Sequence, residues 1–325
     1  MPIAVLRRAA FALLLLTAAA PAPPPPLPVP APARTSDDGV RIIGGALAPP
    51  RSAPWQVELF WNSAVPGRSA AAQVNHHCGG ALIAPQWVLT AAHCAIDGET
   101  PPQFSPADLP VRYRVRIGTQ VLDDDHGTVF AMATVVPHPA YVRPRAGREQ
   151  VPPAFTSDIA LIRLAAPLVI DALNRDRVAV IALDRSTGLD ARVITRRAVT
   201  VTGWGRATNL DQAAGPLAHS ATLGGMEPDL KVVALRIVSR TTCADLPATH
   251  FCAGATDAGA CVGDSGGPVV VRDEATRRAV LVGVVSSGNV QHCGVGASGS
   301  AFTHVAQFAA WIDATLAVHH DRLPT

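Results

Sequence analysis

Beyond the N-terminal segment, most apolar residues of this chain come in runs too short to build anything but strands. WVLT (Trp87 to Thr90), DIALIRL (Asp158 to Leu164) and VTVTGWG (Val199 to Gly205) are brief and bounded by polar or turn residues. VRYRVRIG (Val111 to Gly118) alternates apolar and charged residues, the period of two that puts one face of a strand in a core. VVV and VLVGVVS flank a polar stretch, Arg272 to Arg278, as the arms of a hairpin. Helical spacing stands out near the C-terminus, where Val305, Phe308, Ile312 and Leu316 make one apolar face. Many short strands separated by turn residues predict an all-β sandwich or barrel. The 325 residues are 48% hydrophobic and 16% charged, enough apolar material for a large core and too much for a disordered chain.

The N-terminal segment is of a different kind. Arg7 and Arg8 precede an apolar run, Ala9 to Ala20, which gives way to PAPPPPLPVPAPA, Pro21 to Ala33. A membrane-spanning helix needs about 20 apolar residues, more than this run holds. The pattern predicts a signal peptide at 1–20 and a Pro-rich propeptide or linker at 21–41. It implies a secreted or periplasmic protein with no membrane anchor after signal cleavage. Lys231 is the only lysine, and with abundant alanine and proline that points to a GC-rich bacterial genome. The formal charge is +2 and no basic stripe with interleaved aromatics occurs, which excludes nucleic acid as a partner. Six cysteines (Cys78, Cys94, Cys243, Cys252, Cys261, Cys293) behind an export signal read as three disulfides. Spacing does not choose among the fifteen pairings. His76, His77 and His93 beside Cys78 and Cys94 suggest zinc, but no C-x-x-C occurs and an oxidising compartment argues against a metal.

GDSGGP, Gly263 to Pro268, sets one serine among residues that suit a nucleophile. Ser265 needs a base to act at neutral pH. His93, in TAAHC, follows an apolar strand and precedes a cysteine that can pin its backbone. A base needs a buried acceptor to fix its tautomer. Asp158 opens an apolar strand, where an unpaired carboxylate would be costly, and a histidine partner removes that cost. The N–H groups of Gly263 and Ser265 are available to a developing oxyanion.

At this point the chain resembles a chymotrypsin-like (trypsin-family, S1) serine protease. The motifs are RIIGG at 41–45, TAAHC at 90–94, DIALIRL at 158–164, GWG at 203–205, CVGDSGGPVV at 261–270, VSSG at 285–288 and the C-terminal helix with Trp311 and Ile312. Their order is His, Asp, Ser; an α/β-hydrolase would show Ser, Asp, His on alternating strands and helices. The resemblance implies two six-stranded antiparallel β-barrels packed face to face, about 42–170 and 171–303, with a helix at about 304–318. It implies a secreted serine endopeptidase acting on protein or peptide substrates as a monomer. His93 becomes base and then acid, Asp158 its orienter and Ser265 the nucleophile. Gly263 and Ser265 form the oxyanion hole, and Ser286 supports the aspartate. The cysteines become Cys78–Cys94, Cys243–Cys252 and Cys261–Cys293.

The same resemblance implies a zymogen. An activating protease cuts after Arg41, and the new amine of Ile42 pairs with Asp264. The pocket floor falls on Gly259, where trypsins carry an aspartate, with Asp257 two residues away; Gly288 and Ser300 are the walls. An uncharged pocket implies an apolar P1 residue rather than Arg or Lys. Ser287 stands where the family usually has tryptophan. The loop RPRAGREQVPPAF, Arg143 to Phe155, is implied to overhang the subsites before the cut bond. DDDHG at 123–127 suggests a calcium loop, but Thr119 replaces the family's acidic position at its start, and no cofactor is the favoured reading. The alternative function is a catalytically impaired homologue that serves as a binding module.

Overall fold

The computed structural model describes residues 45–62, 75–96, 109–122, 127–142, 155–186, 198–206, 228–273, 276, 278–288 and 299–320. The strands are β1 (Ala46–Leu47), β2 (Gln56–Trp61), β3 (His76–Ala84), β4 (Trp87–Thr90), β5 (Tyr113–Ile117), β6 (Thr128–Phe130), β7 (Met132–Pro137) and β8 (Ala160–Leu164). In the second half they are β9 (Ala182–Leu183), β10 (Ala198–Gly203), β11 (Lys231–Ile237), β12 (His250–Gly254), β13 (Pro268–Arg272), β14 (Ala279–Gly288) and β15 (Ser300–His304). The α-helices among the described residues are α1 (Ala92–Ile96), α2 (Leu109–Arg112) and α3 (Ala309–His320), the last entered through a 3-10 turn at Val305–Phe308. No described helix is long and apolar enough to cross a membrane.

Two sheets curl separately, antiparallel throughout except where short β9 pairs with β14 in parallel. In the second, β11, β10, β13, β14, β15 and β12 pair in turn, and β12 returns to β11, so six strands close a barrel. The first runs β6-β5-β2-β3-β4-β8-β7. It has seven strands rather than six because one segment is interrupted at Ala131; its first part pairs with β5 and its second with β8, at opposite ends of the path. The architecture is the chymotrypsin-like double barrel with a C-terminal helix.

Residue alternation sorts the two faces of the strands. Tyr113, Val115 and Ile117 of β5 are buried while Arg114 and Arg116 are half-buried. The strand begins two residues later than the alternation predicts: Pro110 has no N–H for a ladder and is tolerated in the first turn of α2, so Val111 and Arg112 turn helically. In β13, Val269 and Val271 fill the closed barrel, whereas Val270 joins the core shared with the first sheet. Val305, Phe308 and Ile312 dock the C-terminal helix on that shared core.

The barrels meet at very short range. A Cβ built on Gly79 of β3 would lie 2.8 Å from Gly267 Cα, just before β13. Across this contact Gly79 N–H donates to Ser265 O at 2.7 Å. Nearby, Thr202 Oγ1 donates to Gln56 Oε1 at 2.7 Å, again from one barrel to the other. Gly79→Ala pushes backbone against backbone, so it is expected to cost about 1–3 kcal/mol as overpacking does. A fall in the urea midpoint with an unchanged slope is the result to look for.

Candidate active site

The first barrel supplies a histidine and an aspartate. β4 is buried along its whole length and delivers the chain into α1, where His93 sits. A disulfide from Cys94 to Cys78 ties α1 to β3. Asp158 stands two residues before β8 and is fully buried. It is the central residue of a tight turn in which Ser157 has φ 49° and Ile159 N–H donates to Ser157 O.

Four donors converge on Asp158. His93 N–H donates to Oδ1 at 2.9 Å, and His93 Nδ1 lies 2.8 Å from Oδ2. A carboxylate only accepts, so Nδ1 carries the proton and Nε2 is left as the basic nitrogen of the neutral ring. Ser286 Oγ donates to Oδ2 at 2.6 Å, and Thr303 Oγ1 to the Asp158 carbonyl at 2.8 Å. Burial alone would raise this carboxyl; the adjacent His93 and the hydrogen bonds outweigh burial and hold it below the usual range. Ser286 reaches it because β14 bulges. Val285 pairs with Phe302 and Ser287 with Ala301, so Ser286 faces no cross-strand residue and turns toward the first barrel.

The second barrel supplies Ser265. Its loop is held by short backbone bonds: Asp264 N–H to Cys261 O, Gly267 N–H to Asp264 O, and Gly266 N–H to Val285 O. Gly266 has φ 76°, and a Cβ there would stand 2.5 Å from Gly79 O, so both its conformation and its surroundings require glycine. Ser265 and His93 line one cavity of about 280 Å³. Ser286, Ser287, Gly288 and Ser300 line it too. Gly259 is buried beside it rather than among its lining, and Asp257 is exposed. Among the described residues no carboxylate lines the cavity. Gly288 and Ser300 are cross-strand partners of β14 and β15 and stand side by side in the lining.

Behind the loop, Asp264 is fully buried and accepts the N–H groups of Gly205 and Cys261, each at 2.8 Å. Burial pushes its carboxyl up to about 6, against the pull of those amides and of His76. His76 Nε2 donates to Gly263 O at 2.9 Å, and its Nδ1 faces buried Glu58 at 3.5 Å; Glu58 also pairs with Arg116 at 3.1 Å. Sequence reasoning missed Glu58, His76 and Thr303 as supports of the site. Only the buried carboxylate inside the apolar strand QVELFW signalled the first.

Arg41, Ile42, Cys293 and residues 143–154 lie outside the described residues, as do 123–126 of the acidic run. Cys243 is bonded to Cys252, and Cys261 also stands in a disulfide. The sulfurs of Cys78 and Cys94 are joined to each other, so they present no thiolate to an ion beside His93.

The trypsin family model matches residues 42–312. The chain belongs to the trypsin family. It is 28% identical to Trypsin-4 of Rattus norvegicus over 293 residues, which cover 86% of this chain and 92% of the relative. As a trypsin-family member it is a serine peptidase of the S1 type, a hydrolase of protein or peptide substrates.

Ser286→Ala removes one donor to a buried charge, a loss of about 1.5–3 kcal/mol at neutral pH. A depressed carboxyl contributes stability that is lost as pH falls through its folded pKa. The difference between variant and parent, read from urea unfolding, should therefore be full at pH 7 and shrink progressively below about pH 4.

Proposed function

We propose that the protein is a secreted serine endopeptidase, made as a zymogen, that cuts after apolar residues. Ser265 Oγ attacks the carbonyl carbon of the scissile bond while His93 Nε2 takes its proton. The N–H groups of Gly263 and Ser265 bind the oxyanion. The C–N bond then breaks, His93 returns the proton to the leaving amine, and water hydrolyses the acyl-enzyme by the same route. Asp158 keeps the imidazole in the tautomer this needs. The observation that carries the reading is the pairing of His93 with buried Asp158 at 2.8 Å, in the wall of the cavity that Ser265 also lines.

An apolar P1 preference is supported by a cavity without a described carboxylate, and small to medium side chains by Ser300, whose side chain takes up room in the lining. Activation by a cut between Arg41 and Ile42 is supported by Asp264. A buried carboxyl displaced to about 6 is an acceptor suited to a new cation.

Labelling with a fluorophosphonate, which reacts with activated serines, tests the nucleophile and the switch together. Labelling should appear after cleavage at Arg41–Ile42 and be absent in Ser265→Ala. A correctly cut, folded protein that takes no label would make it an impaired homologue. A peptide-library profile dominated by Arg or Lys at P1 would overturn the apolar preference.

Asp264 also makes a pH prediction for the uncut chain. Between about pH 4 and 6 Asp264 is more protonated in the folded chain than in the unfolded one, so its contribution to stability falls as pH rises through that window. The fall is about 3 kcal/mol, and it should vanish in Asp264→Asn and after the cut, when the Ile42 amine pairs with the carboxylate.

A further inference from the structure

One aromatic ring at the site has no part in the chemistry above. Phe155 stacks on His93 with ring centroids 5.0 Å apart and planes 11° from parallel. Behind it, Tyr141 stacks on Phe155 at 6.1 Å and 22°. The backbone beside Phe155 is pinned: Val142 and Thr156 exchange both N–H···O bonds, each 3.1 Å. Three residues later the same segment provides Asp158. Phe155 is half-buried and lines the cavity with His93 and Ser265.

The orientation is specific. A benzene ring is negative on its face and positive at its edge, and this ring turns its face to the imidazole. A cation within about 6 Å of a ring centroid over that face is attracted to it. In the resting state His93 is neutral and the stack is simple packing. When Ser265 gives its proton to Nε2, the positive charge spreads over the whole imidazole. Asp158 then faces the charge in the ring plane at Nδ1, and Phe155 faces it from above.

We propose that Phe155 is a positioning residue that tunes the base, its π-face stabilising the imidazolium formed at His93 during acyl transfer. The inference rests on the reading of His93 as the base. The other groups around this ring are the Asp158 carboxylate at Nδ1, the Cys94 sulfur 3.7 Å from Nε2 and locked in a disulfide, and the Ser265 hydroxyl in the shared cavity. His77 reaches the Cys94 carbonyl at 3.2 Å, and the Tyr141 phenol belongs to the ring behind Phe155.

The test uses the chain cut at Arg41, as Phe155→Leu and Phe155→Tyr beside the parent. Leucine keeps an apolar side chain of similar bulk and removes the π-face; tyrosine keeps the face. The His93 ring is titrated by NMR, and fluorophosphonate labelling rates are followed from pH 4 to 9. In Phe155→Leu the His93 midpoint should fall by about half a unit to one unit, and the plateau labelling rate by about 3–10-fold. In Phe155→Tyr both should return to the parent values. A loss of rate in the leucine variant with the midpoint unmoved, or moved upward, would reduce Phe155 to packing and overturn the proposal. If the folded, cut parent takes no label, the base reading fails, and the NMR midpoint still decides whether the ring stabilises the cation.

Discussion

The geometry of the cleft depends on how closely two separate sheets approach at Gly79 and Gly267. His93 and Asp158 belong to one barrel and Ser265 to the other, so their relative placement is a matter of docking rather than of any one element. At this point the docking is made by backbone: Gly79 N–H donates to Ser265 O, and a methyl group on Gly79 would meet Gly267 Cα at 2.8 Å. A side chain at this point would hold the barrels apart. A shift of 1 Å between reacting groups is already costly in catalysis.

The second barrel also reaches into the first. Asp158 is anchored by His93 from its own barrel and by Ser286 and Thr303 from the other. A buried carboxylate is tolerable only when its lone pairs are satisfied, and here the satisfaction joins both halves of the protein. The bulge in β14 is what lets Ser286 take part. Buried Glu58, on β2, is placed differently: it faces Arg116 at 3.1 Å and His76 Nδ1 at 3.5 Å, and His76 Nε2 donates to the carbonyl of Gly263.

Much of this was legible in the sequence. WVLT is β4 residue for residue, and DIALIRL gives β8 with Asp158 at its mouth, because an apolar run bounded by polar residues has few other fates. The arms around Arg272 to Arg278 are β13 and β14. The seven-strand count in the first sheet was not legible, since an interruption at Ala131 leaves no mark on residue alternation. Glu58, His76 and Arg116 are far apart in the chain, and only β2, β3 and β5 lying side by side bring these side chains together. Phe155 was visible as the end of a proline- and arginine-rich loop placed near the subsites. Its stacking on His93 depends on ring orientation, which spacing does not encode.

At Gly79 and Gly267, where the barrels come closest, the contact is made of main-chain atoms, so a substitution elsewhere does not remove it. A residue larger than glycine at either position disturbs it. Side chains elsewhere can therefore change without altering this backbone-to-backbone approach. A chain sharing barely more than a quarter of its residues with a rat trypsin is the outcome such a frame permits.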